Sequence, residues 1–161
     1  MYEHNEDFEK LSVELKTDTT KVLADVQRYA KLTSWGPLNQ ICYTNTIQKG
    51  SPNDVFQGAG SLAWDLVRQD DGSFVKQPRR PRVRETDFRF FNNFYKSSSI
   101  WDLFQEMQDL LQLKILRFRA MNMMPACCLT MHHDNEVRAH VALKTDIDCF
   151  FVSKRKDIHH I

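Results

Sequence analysis

Both helix-period stretches of this sequence lie before residue 114, and the chain beyond is strand-like to its end. KILRFRAMNMM (114–124), CLTMH (128–132), VRAHVALK (137–144) and DCFFVS (148–153) carry the β-branched, aromatic and alternating apolar residues of strands. Helices followed by a run of strands predict an α+β to mainly β chain with an antiparallel β part. The first helix is predicted from Asp18, Thr19 or Thr20, each able to cap it, with Val22, Leu23, Val26, Tyr29 and Ala30 at helical spacing. It should stop before Gly36-Pro37. The second opens at Ser97-Ser98-Ser99 with a serine cap, has Asp102 in its first turn, and places Ile100, Leu103, Phe104, Met107, Leu110 and Leu111 on one stripe.

The rest of the N-terminal part is less regular. FEKLSVEL (8–15) and QICYTNT (40–46) read as short strands. Residues 47–86 hold four of the five glycines and three of the five prolines, which predicts a long excursion with little regular structure. Its basic run, Arg79, Arg80, Arg82 and Arg84, has few interleaved aromatics and reads as a solvated loop or, less simply, a substrate-contacting surface. The 161 residues are read as a single domain: 1–113 with helices, short strands and the loop, and 114–161 with the β core.

Charge narrows the range of partners. With 22 basic against 21 acidic residues the net charge is +1, so no global field draws the chain to nucleic acid or to an anionic membrane. No apolar run approaches the ~20 residues of a membrane-spanning helix. Cys42, Cys127, Cys128 and Cys149 show no CxxC spacing, which argues for reduced thiols in a cytoplasmic protein and against a disulfide framework or a zinc knuckle.

Five of the six histidines fall in the last thirty residues, at 132, 133, 140, 159 and 160. Within MHHDN, His132 and Asp134 are two apart, so an extended chain turns both to one face and His133 to the other. An imidazole and a carboxylate at one strand end form two thirds of the facial triad that holds non-haem iron(II) with open positions. Arg138 and His140 repeat the spacing in VRAHVAL, alternating with Val137, Ala139 and Val141. A permanently charged, bidentate donor on an apolar strand requires an anion opposite. That anion is either a dicarboxylate co-substrate or an internal partner, Asp134 or Glu136, with His140 merely packed.

The stretch RFRAMNMMPACCLTMHHDNEVRAHVALKT (117–145) resembles the core of aspartyl/asparaginyl β-hydroxylase-like oxygenases. The resemblance lies in a strand, a proline turn, a histidine with a carboxylate two residues later, then R-x-H before apolar residues and a threonine. It implies a double-stranded β-helix (jelly roll, cupin-like) flanked by N-terminal helices. It also implies iron(II) bound by His132 and Asp134, and 2-oxoglutarate bound by Arg138 and His140. The activity implied is hydroxylation of an amino-acid side chain, of Asp/Asn or Pro type, in a peptide or a free amino acid. The family's second iron-binding histidine sits on a later strand, so the sequence reads as a C-terminally truncated version with an incomplete barrel, which a second chain would complete. His159 and His160 are the candidates for a third ligand within the chain. Activity of the chain alone is left open. The competing reading is a non-catalytic jelly-roll structural or interaction module derived from such an oxygenase, and a zinc hydrolase built on His132, Asp134 and a late histidine ranks behind both.

Overall fold

The structure, a computed structural model, describes residues 13–47, 58–80, 82–125, 127, 138–146, 148–152 and 158–160. It is α+β, with two α-helices and small antiparallel sheets among the described residues. Helix α1 (Thr19–Thr33) is capped as its sequence predicts: the Asp18 carboxylate accepts from the amides of Thr20 and Lys21 at 2.9 and 3.4 Å. Val22, Val26, Tyr29 and Ala30 are buried along one face, with Leu23 at its margin. The helix ends at Ser34, whose φ of 65° leaves the helical region two residues before Gly36.

Helix α2 (Ser99–Leu111) buries Ile100, Leu103, Phe104 and Met107, while Leu110 at the end of the expected stripe is exposed. Its cap corrects the serine expectation. Ser98 occupies the capping position, but its hydroxyl donates backwards to the Tyr95 carbonyl at 2.6 Å. The first-turn donors go to α1: the Ser99 amide and hydroxyl donate to Asp25 Oδ2 at 2.9 and 2.7 Å. A side chain of one helix thereby does the capping work for the other.

Among the described residues eight short strands pair antiparallel in twos: β1 (Gln40–Cys42), β2 (Thr44–Asn45), β3 (Trp64–Arg68), β4 (Phe74–Pro78), β5 (Phe90–Phe91), β6 (Arg119–Met121), β7 (Phe150–Val152) and β8 (Ile158–His160). β1 lies on β6 with Cys42 opposite Arg119, and β2 on β5 with Thr44 opposite Phe91. The Tyr43 amide donates to the Phe118 carbonyl and the Asn92 amide to the Tyr43 carbonyl, both at 2.8 Å. The extended run 40–45 is therefore flanked on one edge by 118–121 and on the other by 90–92.

Alternation along these strands gives the run two unlike faces. Ile41, Tyr43, Phe91 and Tyr95 join the apolar sides of α1 and α2 in one core, with Phe118, Ala120, Val141 and Leu143 packed against it. Rings meet edge to face there: Tyr29 lies 4.5 Å from Tyr95, and Tyr43 5.0 Å from Tyr95, between ring centres. The opposite face carries Gln40, Cys42, Arg117 and Arg119.

Several strand expectations change. Residues 47–86 are more ordered than their glycine and proline content suggested, because β3 and β4 form a five-pair hairpin across QDDGS. Its turn is closed by the Gln69 amide on the Ser73 carbonyl at 2.8 Å and by the Ser73 amide on Asp71 Oδ1 at 2.8 Å. Gly72, at φ 84°, supplies the left-handed conformation the turn requires. The strand predicted over 114–124 contracts to β6, the only part with a ladder partner in β1. Residues 138–144, predicted as part of a strand, carry none. They run over the core edge, where Val141 and Leu143 make apolar contact. β7 falls inside the predicted DCFFVS strand and pairs with β8, which holds His159 and His160. The described residues form no closed barrel. No helix among them is long and apolar enough to cross a membrane. Much of FEKLSVEL and CLTMH lies outside the described residues.

Candidate anion site

Arg117 and Arg119 flank Phe118, and alternation sends the phenyl ring into the core and both guanidiniums to the other face. Arg117 is fully engaged there. Its Nε donates to the Gly58 carbonyl at 2.7 Å, its Nη2 to the Gly60 carbonyl, and its Nη1 to Glu85 Oε1 at 3.0 Å. Only 5% of this side chain is exposed, so it acts as a clamp between the 58–60 turn and the segment carrying Glu85.

The turn can lie this close because Gly58 has no side chain. A Cβ there would overlap Cys42 Sγ and come within 2.9 Å of the Phe88 ring. Gly60, at φ 69°, donates its amide to Gln40 Oε1 at 3.0 Å. The same oxygen accepts from Arg119 Nη1 at 2.9 Å. Cys42, beneath the turn, is buried, and burial pushes its thiol above its ordinary value of 9.0 although Thr44, Arg117 and Arg119 pull the other way.

Glu85 lies in a short 3₁₀ turn (Glu85–Asp87) fixed by the Arg84 amide donating to Asp87 Oδ2 at 2.8 Å. One of its oxygens serves two guanidiniums: Oε1 is 3.0 Å from Arg117 Nη1 and 3.3 Å from Arg138 Nη2. Glu85 and Arg138 are 15% and 24% exposed, a partly desolvated pairing in which charge-assisted hydrogen bonds are strong. Arg119 stands beside them under electrostatic stress. Burial lowers its pKa to about 10, repulsion from Arg117 and Arg138 adds to the fall, and Glu85 offsets only part of it. Arg117 and Arg138 thus share one carboxylate, and Arg119, bonded to Gln40, stands near enough to feel their charges.

Of the residues singled out in the sequence, Arg138 is in this cluster. Its partner Glu85 lies 53 positions upstream, so the internal partner is not Asp134 or Glu136 alone. His140 is exposed and does not share the half-buried position of Arg138. His132 and Asp134 lie outside the described residues, and of His159 and His160 the backbone places both in β8. No three His, Cys, Asp or Glu side chains among the described residues are grouped so as to hold a metal ion. Arg80, Arg82 and Arg84 of the basic run are exposed, as a solvated loop requires, and Arg79 reaches the Ala59 carbonyl at 3.5 Å.

Arg117, Arg119 and Glu85 are additions that sequence reading missed. The alternation R-F-R ahead of the proline turn was the available signal for the two arginines. Glu85 gave none, since its role depends on the fold carrying residues 85 and 138 together. Set against protein-family models, curated proteins and solved structures, the chain matches none of them.

Proposed function

We propose that this chain is part of an iron(II)- and 2-oxoglutarate-dependent oxygenase of jelly-roll type that hydroxylates a side chain of a peptide or amino acid. The observation that carries the reading is the position of Arg138 in a half-buried guanidinium cluster, four residues along the chain from Asp134. Such a cluster offers a carboxylate ligand planar, bidentate donors in a partly desolvated setting. A cation-rich interior is costly to maintain without an anion to bind.

The metal half of the reading rests on donor chemistry. His132 and Asp134 supply the nitrogen and carboxylate oxygen that suit iron(II), with His159 or His160 as a further ligand. Iron, when bound, supplies the activation of dioxygen. The chain's own part is to hold one carboxylate of 2-oxoglutarate through Arg138, assisted by His140, and to keep Arg138 oriented through Glu85.

The test is calorimetric titration with 2-oxoglutarate in the presence of manganese(II). Arg138→Ala should weaken binding by about 2 kcal/mol, as truncating one side of a desolvated charge pair does, with the circular dichroism spectrum retained. Unfolding of the variant with no selective loss of affinity would mark Arg138 as a structural ion pair with Glu85 and count against the reading.

A further inference from the structure

The three arginines of the cluster are not equivalent. Arg117 spends its guanidinium on two carbonyls and Glu85, and Arg138 faces the same carboxylate oxygen. Arg119 has a neutral partner, the Gln40 amide oxygen, which it shares with the Gly60 amide. No carboxylate among the described residues lies within ion-pairing distance of it. A part-buried cation with a neutral partner and two like charges beside it is an unfavourable arrangement, and burial of a charge is ordinarily compensated by an opposite one.

The surroundings make the arrangement rigid. Arg119 is fixed at its root by the β1–β6 ladder, where it stands opposite Cys42, and at its tip by buried Gln40. Glu85 is committed through Oε1 to Arg117 and Arg138. A preorganised donor fork with spare N–H groups beside a second guanidinium is the geometry that recognises carboxylates.

We infer that Arg119 is a second ligand-binding residue, acting with Arg138 to hold a small dicarboxylate, one carboxylate to each guanidinium. The inference rests on the oxygenase reading and extends it: the site has two anchoring cations on separate segments of the chain, and Arg117 with Glu85 is the frame that spaces them. No covalent step is involved.

The experiment is calorimetric titration of the full chain with succinate and with 2-oxoglutarate, each with and without manganese(II), and with inorganic phosphate as the non-carboxylate anion. Arg119→Gln should weaken both dicarboxylates at least tenfold. Arg119→Lys, which keeps the charge and loses the fork, should lie between that variant and the wild type. Wild-type affinity in Arg119→Gln overturns the inference, and if Arg138→Gln alone weakens binding, the oxygenase reading survives without it. Should Arg119→Gln fail to fold, wild-type affinity in Arg119→Lys overturns it equally. Phosphate binding as tight as succinate overturns the dicarboxylate assignment, and no dicarboxylate binding under any condition overturns both proposals.

Discussion

Gly58 shows how much of the site depends on one missing side chain. Its carbonyl accepts from Arg117 while its Cα lies against Cys42 and Phe88, both fully buried. Gly58→Ala should cost about 1–3 kcal/mol, the usual penalty for forcing extra volume into a packed region. A chemical-denaturation midpoint equal to that of wild type would show that the turn can move away. Arg119 works in the opposite direction. Because its folded pKa is lowered, the folded chain holds its proton less tightly than the unfolded chain does, so the charge at neutral pH opposes folding and that opposition fades as pH rises through about 10. Arg119→Met, which keeps the length of the stem, should therefore raise the thermal midpoint at pH 7 in the absence of anions, and a lower midpoint would show that the charge of Arg119 stabilises the fold.

At the scale of elements, the helices were legible and their connection was not. Asp18 stands where a cap belongs, directly before the periodic stretch, so local chemistry located α1. For α2 the three serines located the start, but the donors are met by Asp25, 74 positions away, and local sequence carries no trace of that pairing. Asp25→Ala should lose about 1 kcal/mol at neutral pH, the usual value of a helix cap, measured by urea denaturation. Burial works against the Asp25 carboxylate, but hydrogen bonds from Ser99 and the charge of Arg28 hold it below its ordinary 3.8. The stabilisation from its charge is thus present above pH 3.8 and is lost as pH falls through the lowered value. An Asp25→Ala difference that stays constant from neutral pH into that acidic range would argue against a charged cap. The β3–β4 hairpin was readable and overlooked: DLV and FVK flank a DG turn, and composition over forty residues masked a pattern of five.

Across the whole molecule, one extended run, residues 40–45, separates an apolar layer from a cationic one. The apolar layer was legible because helix periodicity and strand alternation each mark their buried positions. The cationic layer was half legible. Arg138 announced itself by its apolar neighbours, whereas its meeting with Arg117, Arg119 and Glu85 follows from chain folding that links residues 32 and 53 positions apart. The order of helices before strands did not hold, since β1 to β5 precede α2 among the described residues, and the C-terminal strands there are fewer and shorter than alternation suggested. The proposed function has Arg138 take 2-oxoglutarate and His132 and Asp134 hold the metal. The most direct measurement is anaerobic manganese(II) binding followed by electron paramagnetic resonance, with and without 2-oxoglutarate, on wild type, His132→Ala and Arg138→Ala. Manganese uptake should be tightened by 2-oxoglutarate in wild type, lost in His132→Ala, and retained without the tightening in Arg138→Ala. Manganese uptake indifferent to both His132 and 2-oxoglutarate would contradict it.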